Sequence, residues 1–409
     1  MITDAPAARL AGTQEILCVT MLSLGFGLVG IDRFLITTMF PVIAKSLALS
    51  YSDIGIVTGA LAIAWGISAL FTGNLAEQIG RRRIIVASLI AFSLLIGASG
   101  LVTGILSLVA IRVIMGLIDG AYTPVSIVGT LAASAPTRRG LNIGIQQMMM
   151  PLFGLGFAPI FVAYALRVVE WRWLFLAFLV PGLALSSFAS RVLPADDPRV
   201  DTPMRPRRSA RVRASQWREA LAQRNVRIAA WLMLCWLTCL ITTSAFMPNY
   251  LVDHLHIPIP QMAKIMSAIG LGATAGTLVL PWASDHIGRK AVLIVASIGA
   301  LSSLVLLGQL DARPGALFGA LFLVHFFNNA LITLTVGPLC TEAVPPSLMA
   351  TASGTVIAVG ELFGGGLAPY LVGLLAQHAG IAQVLWLPIA TVAIGLLLTL
   401  TIRTVRPHR

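Results

Sequence analysis

Five ionisable residues interrupt stretches otherwise apolar enough to avoid water: Asp32 and Arg33, Arg112 and Asp119, and Glu361. On insertion scales a charge at the centre of a bilayer costs about 3 kcal/mol, so such residues face a cavity or a partner. Arg112 and Asp119 are seven residues apart, which is two turns on one helix face and ~10 Å along its axis. They are too distant to pair directly but can bracket a ligand. Arg112 has no acid at i±3 or i±4, which leaves its planar fork for a carboxylate. Asp119 has no cation one turn away, and a carboxyl buried in that way is a candidate proton carrier. Asp32 and Arg33 point ~100° apart on a helix, so one faces a cavity while the other braces a neighbour. On this reading Arg112 is available to an anion, and Asp119 and Glu361 are candidates to carry protons. Asp32 shares its depth with the two arginines and is the most suited of the three acids to ion pairing. The four charges of the first half sum to zero, as a closed, dry site prefers. The competing reading is a purely structural set of buried ion pairs.

Neutral candidates are less specific. Gln146 and Gln147 stand just before the run MMMP, and His325, Asn328 and Asn329 occupy i, i+3 and i+4 on one helix face. A polar trio in lipid is either interhelical glue or substrate contact. Tyr122, one turn beyond Asp119, reads as packing. Gly154–Gly156 and Gly364–Gly366 read as close-packing and bending points. They are not phosphate loops, since no Lys-Ser or Lys-Thr follows them, and without a Walker motif ATP is not the energy source. Cys18, Cys235, Cys239 and Cys340 lie in or beside apolar runs without metal-ligand spacing, so neither a metal nor a cofactor is expected.

The chain that positions these residues has 409 residues, 57% of them hydrophobic and 11% charged. Its solvent must be mostly lipid. Twelve apolar runs are long enough to cross a membrane, at about 16–40, 53–79, 84–103, 106–133, 142–166, 172–192, 225–251, 262–284, 290–310, 314–340, 350–375 and 381–403. Backbone groups in lipid must be satisfied within their own segment, so the runs are predicted helices. The first fifteen residues are polar, and the first apolar run is too long for a signal-peptide core, so no cleaved leader is expected.

Two segments 208 residues apart repeat one pattern: GNLAEQIGRRR at Gly73–Arg83 and PWASDHIGRK at Pro281–Lys290. In each an acid (Glu77, Asp285) precedes a glycine (Gly80, Gly288) by three residues, and cations follow at once. A repeated hinge of this kind predicts two homologous membrane halves. The halves are 1–192 and 225–409, joined by a basic linker at 193–224 with a short surface helix around Trp217–Gln223. With the amino terminus inside, the cytoplasmic segments hold 21 of the 28 Lys and Arg. That asymmetry predicts an inner-membrane protein with both termini cytoplasmic. The net charge of +12 sits in short clusters between apolar runs. It therefore marks topology, and no nucleic-acid partner is expected.

The hinge resembles the signature loop of the major facilitator superfamily. The first copy matches fully from Gly73 to Arg82, while the second carries Pro281 in place of the leading glycine. The resemblance implies an all-α fold of twelve transmembrane helices in two pseudo-symmetric six-helix bundles. It also implies a gating role for Gly73, Glu77, Gly80, Arg81, Arg82, Asp285, Gly288 and Arg289, which would latch one half against the other. Within that superfamily, D-R in span one is similar to the anion:cation symporter family. So are Arg112, Gly116, Asp119, Gly120 and Pro124 in span four, and Pro248, Tyr250 and Leu251 closing span seven. This resemblance implies that Asp32 and Asp119 are protonatable acids and that Arg33 and Arg112 hold or sense the anion. Glu361 is not part of that motif.

Together these features predict a non-enzymatic secondary transporter that works as a monomer. Its expected cargo is a small organic anion (a carboxylate, sugar acid or aromatic acid) taken up with protons by alternating access. The alternative is a proton-driven exporter of drugs or metabolites, which Glu361 and Met148–Met150 favour. Against it, span five keeps only Pro151 and Gly154 of the antiporter pattern. A receptor or channel without a transport cycle is a third, weaker class.

Overall fold

The computed structural model describes residues 12–194, 217–345 and 348–402. The basic linker over 195–216 and the arginines beyond 402 lie outside the described residues. So do the side chains of 70–79, including the Glu77 expected at the first hinge.

Twelve helices follow the predicted spans closely. They are α1 (Gly12–Leu47), α2 (Tyr51–Ile79), α3 (Arg81–Ser99), α4 (Ile105–Ala133), α5 (Arg139–Ala165), α6 (Trp171–Val192), α7 (Arg224–His254), α8 (Ile259–Ile287), α9 (Arg289–Leu307), α10 (Pro314–Leu339), α11 (Thr351–Ala379) and α12 (Ile381–Leu400). A short helix at 217–222 leads into α7, and no strand occurs among the described residues. The first six helices form one bundle and the last six the other.

The sequence repeat is also a structural one. Helices α2 and α8 both have 29 residues, and α3 and α9 both have 19. Between them Gly80 and Gly288 adopt φ 98° and φ 95°. A side chain would strain the backbone there, so glycine can end one helix and an arginine can open the next.

Several helices change winding where Pro or Gly removes a hydrogen bond or opens space. Pro151 precedes a π-helical stretch at Leu152–Phe157 in α5, and Gly360–Leu367 forms another in α11. In α10, Thr335–Leu339 contains Pro338, and Gly337 leaves the helical region at ψ −111°. Proline cannot donate to the preceding turn and crowds its carbonyl, which is why the ladder widens or kinks at such points.

Both described chain ends lie on one side of the bundle, here termed the near side. Lys290 at the start of α9 donates to the carbonyls of Leu400 and Ile402 at 2.9 Å each. On the opposite, far side, backbones of the two halves meet closely. A Cβ on Gly270 of α8 would fall 2.0 Å from the backbone of Gly156 on α5. One on Gly59 of α2 would fall 2.6 Å from the carbonyl of Gly366 on α11, and one on Gly55 would fall 2.4 Å from that of Pro369. Small residues thus let backbones from opposite halves touch, as they do at packed membrane interfaces. The glycine groups expected to serve close packing include two of these contact points, Gly156 and Gly366. Hydrogen bonds from Tyr51 to Asp253 (3.0 Å) and Gln377 (3.2 Å) join the halves on the same side.

Candidate functional site

The interior charges converge from three helices. In α1, 72% of the apolar window is buried, against 33% in α6, so residues midway along α1 lie inside the molecule. Asp32, Arg33, Arg112, Asp119 and Glu361 are all buried, at 0–7% exposure. Asp119 lies within electrostatic reach of the other four, so they form one cluster.

Arg33 and Glu361 form the strongest contact in this cluster. Nη1 of Arg33 donates to Oε1 of Glu361 at 3.1 Å and Nη2 to Oε2 at 2.7 Å. This parallel, two-bond geometry is the one a guanidinium makes best. The Arg33 guanidinium also lies over the Trp65 ring, 4.5 Å from its centroid. A cation–π contact of that kind contributes about 0.5–2 kcal/mol. Removing one member of a buried pair leaves an uncompensated charge, which costs about 3–5 kcal/mol. Glu361 has no cation nearby in sequence, and its partner comes from the other half of the chain.

Arg112 is bound differently. Its Nη1 donates to the backbone carbonyl of Asp32 at 2.7 Å, while Nε and Nη2 make no hydrogen bond. The carboxylate oxygens of Asp32 and of Asp119 are likewise buried without hydrogen bonds. Neither arginine gives a hydrogen bond to the Asp32 carboxylate, although Arg112 stays within electrostatic reach of it. Arg33 turns to Glu361, and Arg112 meets the main chain of Asp32 rather than its side chain. Sequence depth had placed these groups at one level but could not give their direction.

Arg33 and Arg112 line a small cavity with Thr37, Thr58, Ile241 and Ser244, so both halves contribute to its wall. It measures about 20 Å³, the space of roughly one water. A larger pocket of about 200 Å³ lies on the near side, among Glu15, Ser23, Arg138, Asn142 and Met149. Glu15 is tied down there by Arg138 (3.1 Å), Asn142 (3.0 Å) and the amide of Ala135 (3.2 Å). The cavity at the charged centre is thus small, and the larger pocket lies apart from it, beside the start of α1 and of α5.

The neutral candidates separate. Gln146 is buried and donates to Ser126 at 3.1 Å, but Gln147 is exposed and stays outside the buried cluster. On α10, His325 shares a hydrogen bond with Thr243 at 3.0 Å, and Asn328 donates to the carbonyl of Trp236 at 3.1 Å. Asn329 bonds to the carbonyl of His325 one turn back, at 3.3 Å. His325 and Asn328 thus fasten α10 to α7, and Trp236 adds a bond to Thr335 at 3.2 Å. Tyr122 is fully buried and packs edge-on against Phe92. Trp65 and Ser126 carried no signal in sequence, because an indole or a hydroxyl in an apolar run does not declare its partner.

At the second hinge Arg289 holds Asp285 at 2.5 Å and Glu342, in the loop after α10, at 3.5 Å. At the first, Arg82 donates to the carbonyl of Ser190 at the end of α6. These contacts bind each hinge to its own half. Gly73 lies within α2, and the surroundings of Glu77 are outside the described residues.

Comparison with known proteins places this geometry in context. The family model described as Major Facilitator Superfamily matches residues 22–362 and, in a second match, 240–409. The 3-(3-hydroxy-phenyl)propionate transporter of Escherichia coli is 27% identical over 351 residues, covering 84% of this chain and 83% of its own. The gentisate transporter of Corynebacterium glutamicum is 24% identical over 355 residues, covering 85% and 78%. Among solved structures, a bacterial homologue of the human lysosomal transporter Spinster, inward-facing and occupied, aligns with a TM-score of 0.79. It is 16% identical, and the alignment covers 96% of this chain and 97% of that one.

Proposed function

We propose, for a chain that belongs to the Major Facilitator Superfamily, that it takes up small organic acids together with protons by alternating access. One observation carries this reading. Arg112 is buried, is anchored by a single bond, and keeps Nε and Nη2 for a ligand beside two carboxylates that make no hydrogen bonds. A guanidinium in a dry site binds a carboxylate with two parallel, charge-assisted bonds. The adjoining acids, Asp32 and Asp119, carry the protons, because neither carboxyl is committed to a hydrogen bond. The names of the relatives support the same substrate class, since two of them are transporters of aromatic acids.

The protein works as a monomer in the inner membrane, with both termini cytoplasmic. The halves 1–192 and 225–409 rock about the central cluster, and the segment 193–224 links them. The hinge residues Gly73–Arg82 and Asp285–Arg289 close the near side in the opposite phase of the cycle. The glycine contacts on the far side fit a phase of that cycle in which the far side is closed and access is from the near side.

Proteoliposomes carrying a pH-sensitive dye test this reading. Adding aromatic or sugar carboxylates outside acidifies the lumen if acid and proton enter together. Extrusion of a preloaded hydrophobic cation, with no response to carboxylates, would replace the reading with that of an exporter.

A further inference from the structure

Arg33 belongs to the amino-terminal half and Glu361 to the other, and their bridge crosses the seam where the halves touch. The surrounding backbone is shaped to fit it. Glu361 lies in the first turn of the π-helical stretch of α11, and a Cβ on Gly365 would fall 2.9 Å from Glu361 Oε2 and 3.1 Å from Cβ of Ala62 on α2. Gly66 of α2 lies against Cβ of Glu361, where an added Cβ would sit at 3.4 Å. Opening the far side must pull α2 from α11 at Gly55, Gly59 and Gly66, and the bridge must break with them. The cavity wall that carries Arg33 also carries Arg112. A carboxylate held by Arg112 therefore lies next to the guanidinium that Glu361 occupies.

We propose that Glu361 is a tethered competitor of the cargo: its carboxylate occupies on Arg33 the fork that the cargo's carboxylate takes when the far side opens. This assignment rests on the organic-acid reading and refines it. Arg112 is the standing anion ligand, Arg33 is shared, and Glu361 is a positioning residue that sets both the far-side seal and the strength of anion binding. Charge and shape match on both sides of the exchange, since one ionised carboxylate replaces another on the same two donors. Trp65 holds the guanidinium in place through the exchange.

The competition gives a result that a purely structural ion pair would not. Glu361→Gln keeps the size of the side chain but replaces the ionised carboxylate with a weaker acceptor. It should tighten binding of 3-(3-hydroxyphenyl)propionate roughly tenfold, the size of effect that losing one charge-assisted partner produces. In parallel, Ser244→Cys places a thiol on the cavity wall, where Ser244 is 1% exposed. On purified protein, a polar maleimide should label that thiol several-fold faster in the Glu361→Gln background, and also in Arg33→Gln. Thermal unfolding and gel filtration establish that each variant is folded. Folded Glu361→Gln that binds the acid no more tightly than the parent overturns the competition, and an unchanged labelling rate in both backgrounds overturns the seal. If parent and variant both bind no carboxylate, the organic-acid reading fails and takes the competition with it. The labelling rate, which needs no ligand, then still decides the seal.

Discussion

The polar interior of the amino-terminal half carries charges without hydrogen-bond partners, whereas that of the carboxy-terminal half is mostly neutral and braced between helices. Asp32 and Asp119 keep both carboxylate oxygens free of hydrogen bonds, and Arg112 keeps two of its nitrogens. Across the seam, Trp236, Thr243, His325, Asn328 and Thr335 bond to one another between α7 and α10. Glu361, the one buried acid on that side among the described residues, reaches over to Arg33. Two bundles of similar architecture thus divide the work. One presents charge that must be answered by a cargo or a proton, and the other presents a braced wall with one carboxylate to close against it.

Substitutions on the two sides should therefore differ in kind. The largest effect is expected at Arg112→Lys, which keeps the charge and loses the planar fork. Losing about 2–3 kcal/mol of charge-assisted bonding raises the Kd for a bound carboxylate roughly 30- to 150-fold. Calorimetric titration with 3-(3-hydroxyphenyl)propionate measures it, and an unchanged Kd would remove Arg112 from the anion site. Asn328→Ala should be milder. It cuts one tie between α10 and α7, costs about 1 kcal/mol of stability, and leaves the Kd within about threefold on the affinity scale. A loss of binding as severe as that of the arginine variant would mean that the neutral wall contacts the cargo directly. The smallest effect belongs to Gln147→Ala, because this side chain is exposed outside the cluster. Uptake should match the parent, and a clear fall would bring α5's exposed face into the transport path.

How much of this was legible in sequence depends on how local each signal is. The spans and hinges are local, since hydropathy marks the helices and the acid–glycine–arginine pattern marks Gly80 and Gly288. The charges were legible as buried, because each interrupts an apolar run. Their partners were not. Arg33 and Glu361 are 328 residues apart, on α1 and α11, and only the packing of the two halves brings them together. Asp32 shares its depth with two arginines, yet direction around the helix, which depth does not give, turned one to Glu361 and the other to a main-chain carbonyl. His325 and Asn328 could have been glue or ligands until Thr243 and the Trp236 carbonyl were seen beside them.

The account turns on whether the free acids of the amino-terminal half couple proton to cargo, and Asp119 is the sharpest place to ask. Asp119→Asn resembles the protonated form and cannot release a proton. The measurement is radiolabelled organic acid in proteoliposomes, comparing counterflow at equal pH with uptake driven by an imposed pH gradient. The account predicts that Asp119→Asn retains counterflow and loses gradient-driven accumulation. Full accumulation in that variant would contradict it and move proton coupling away from Asp119.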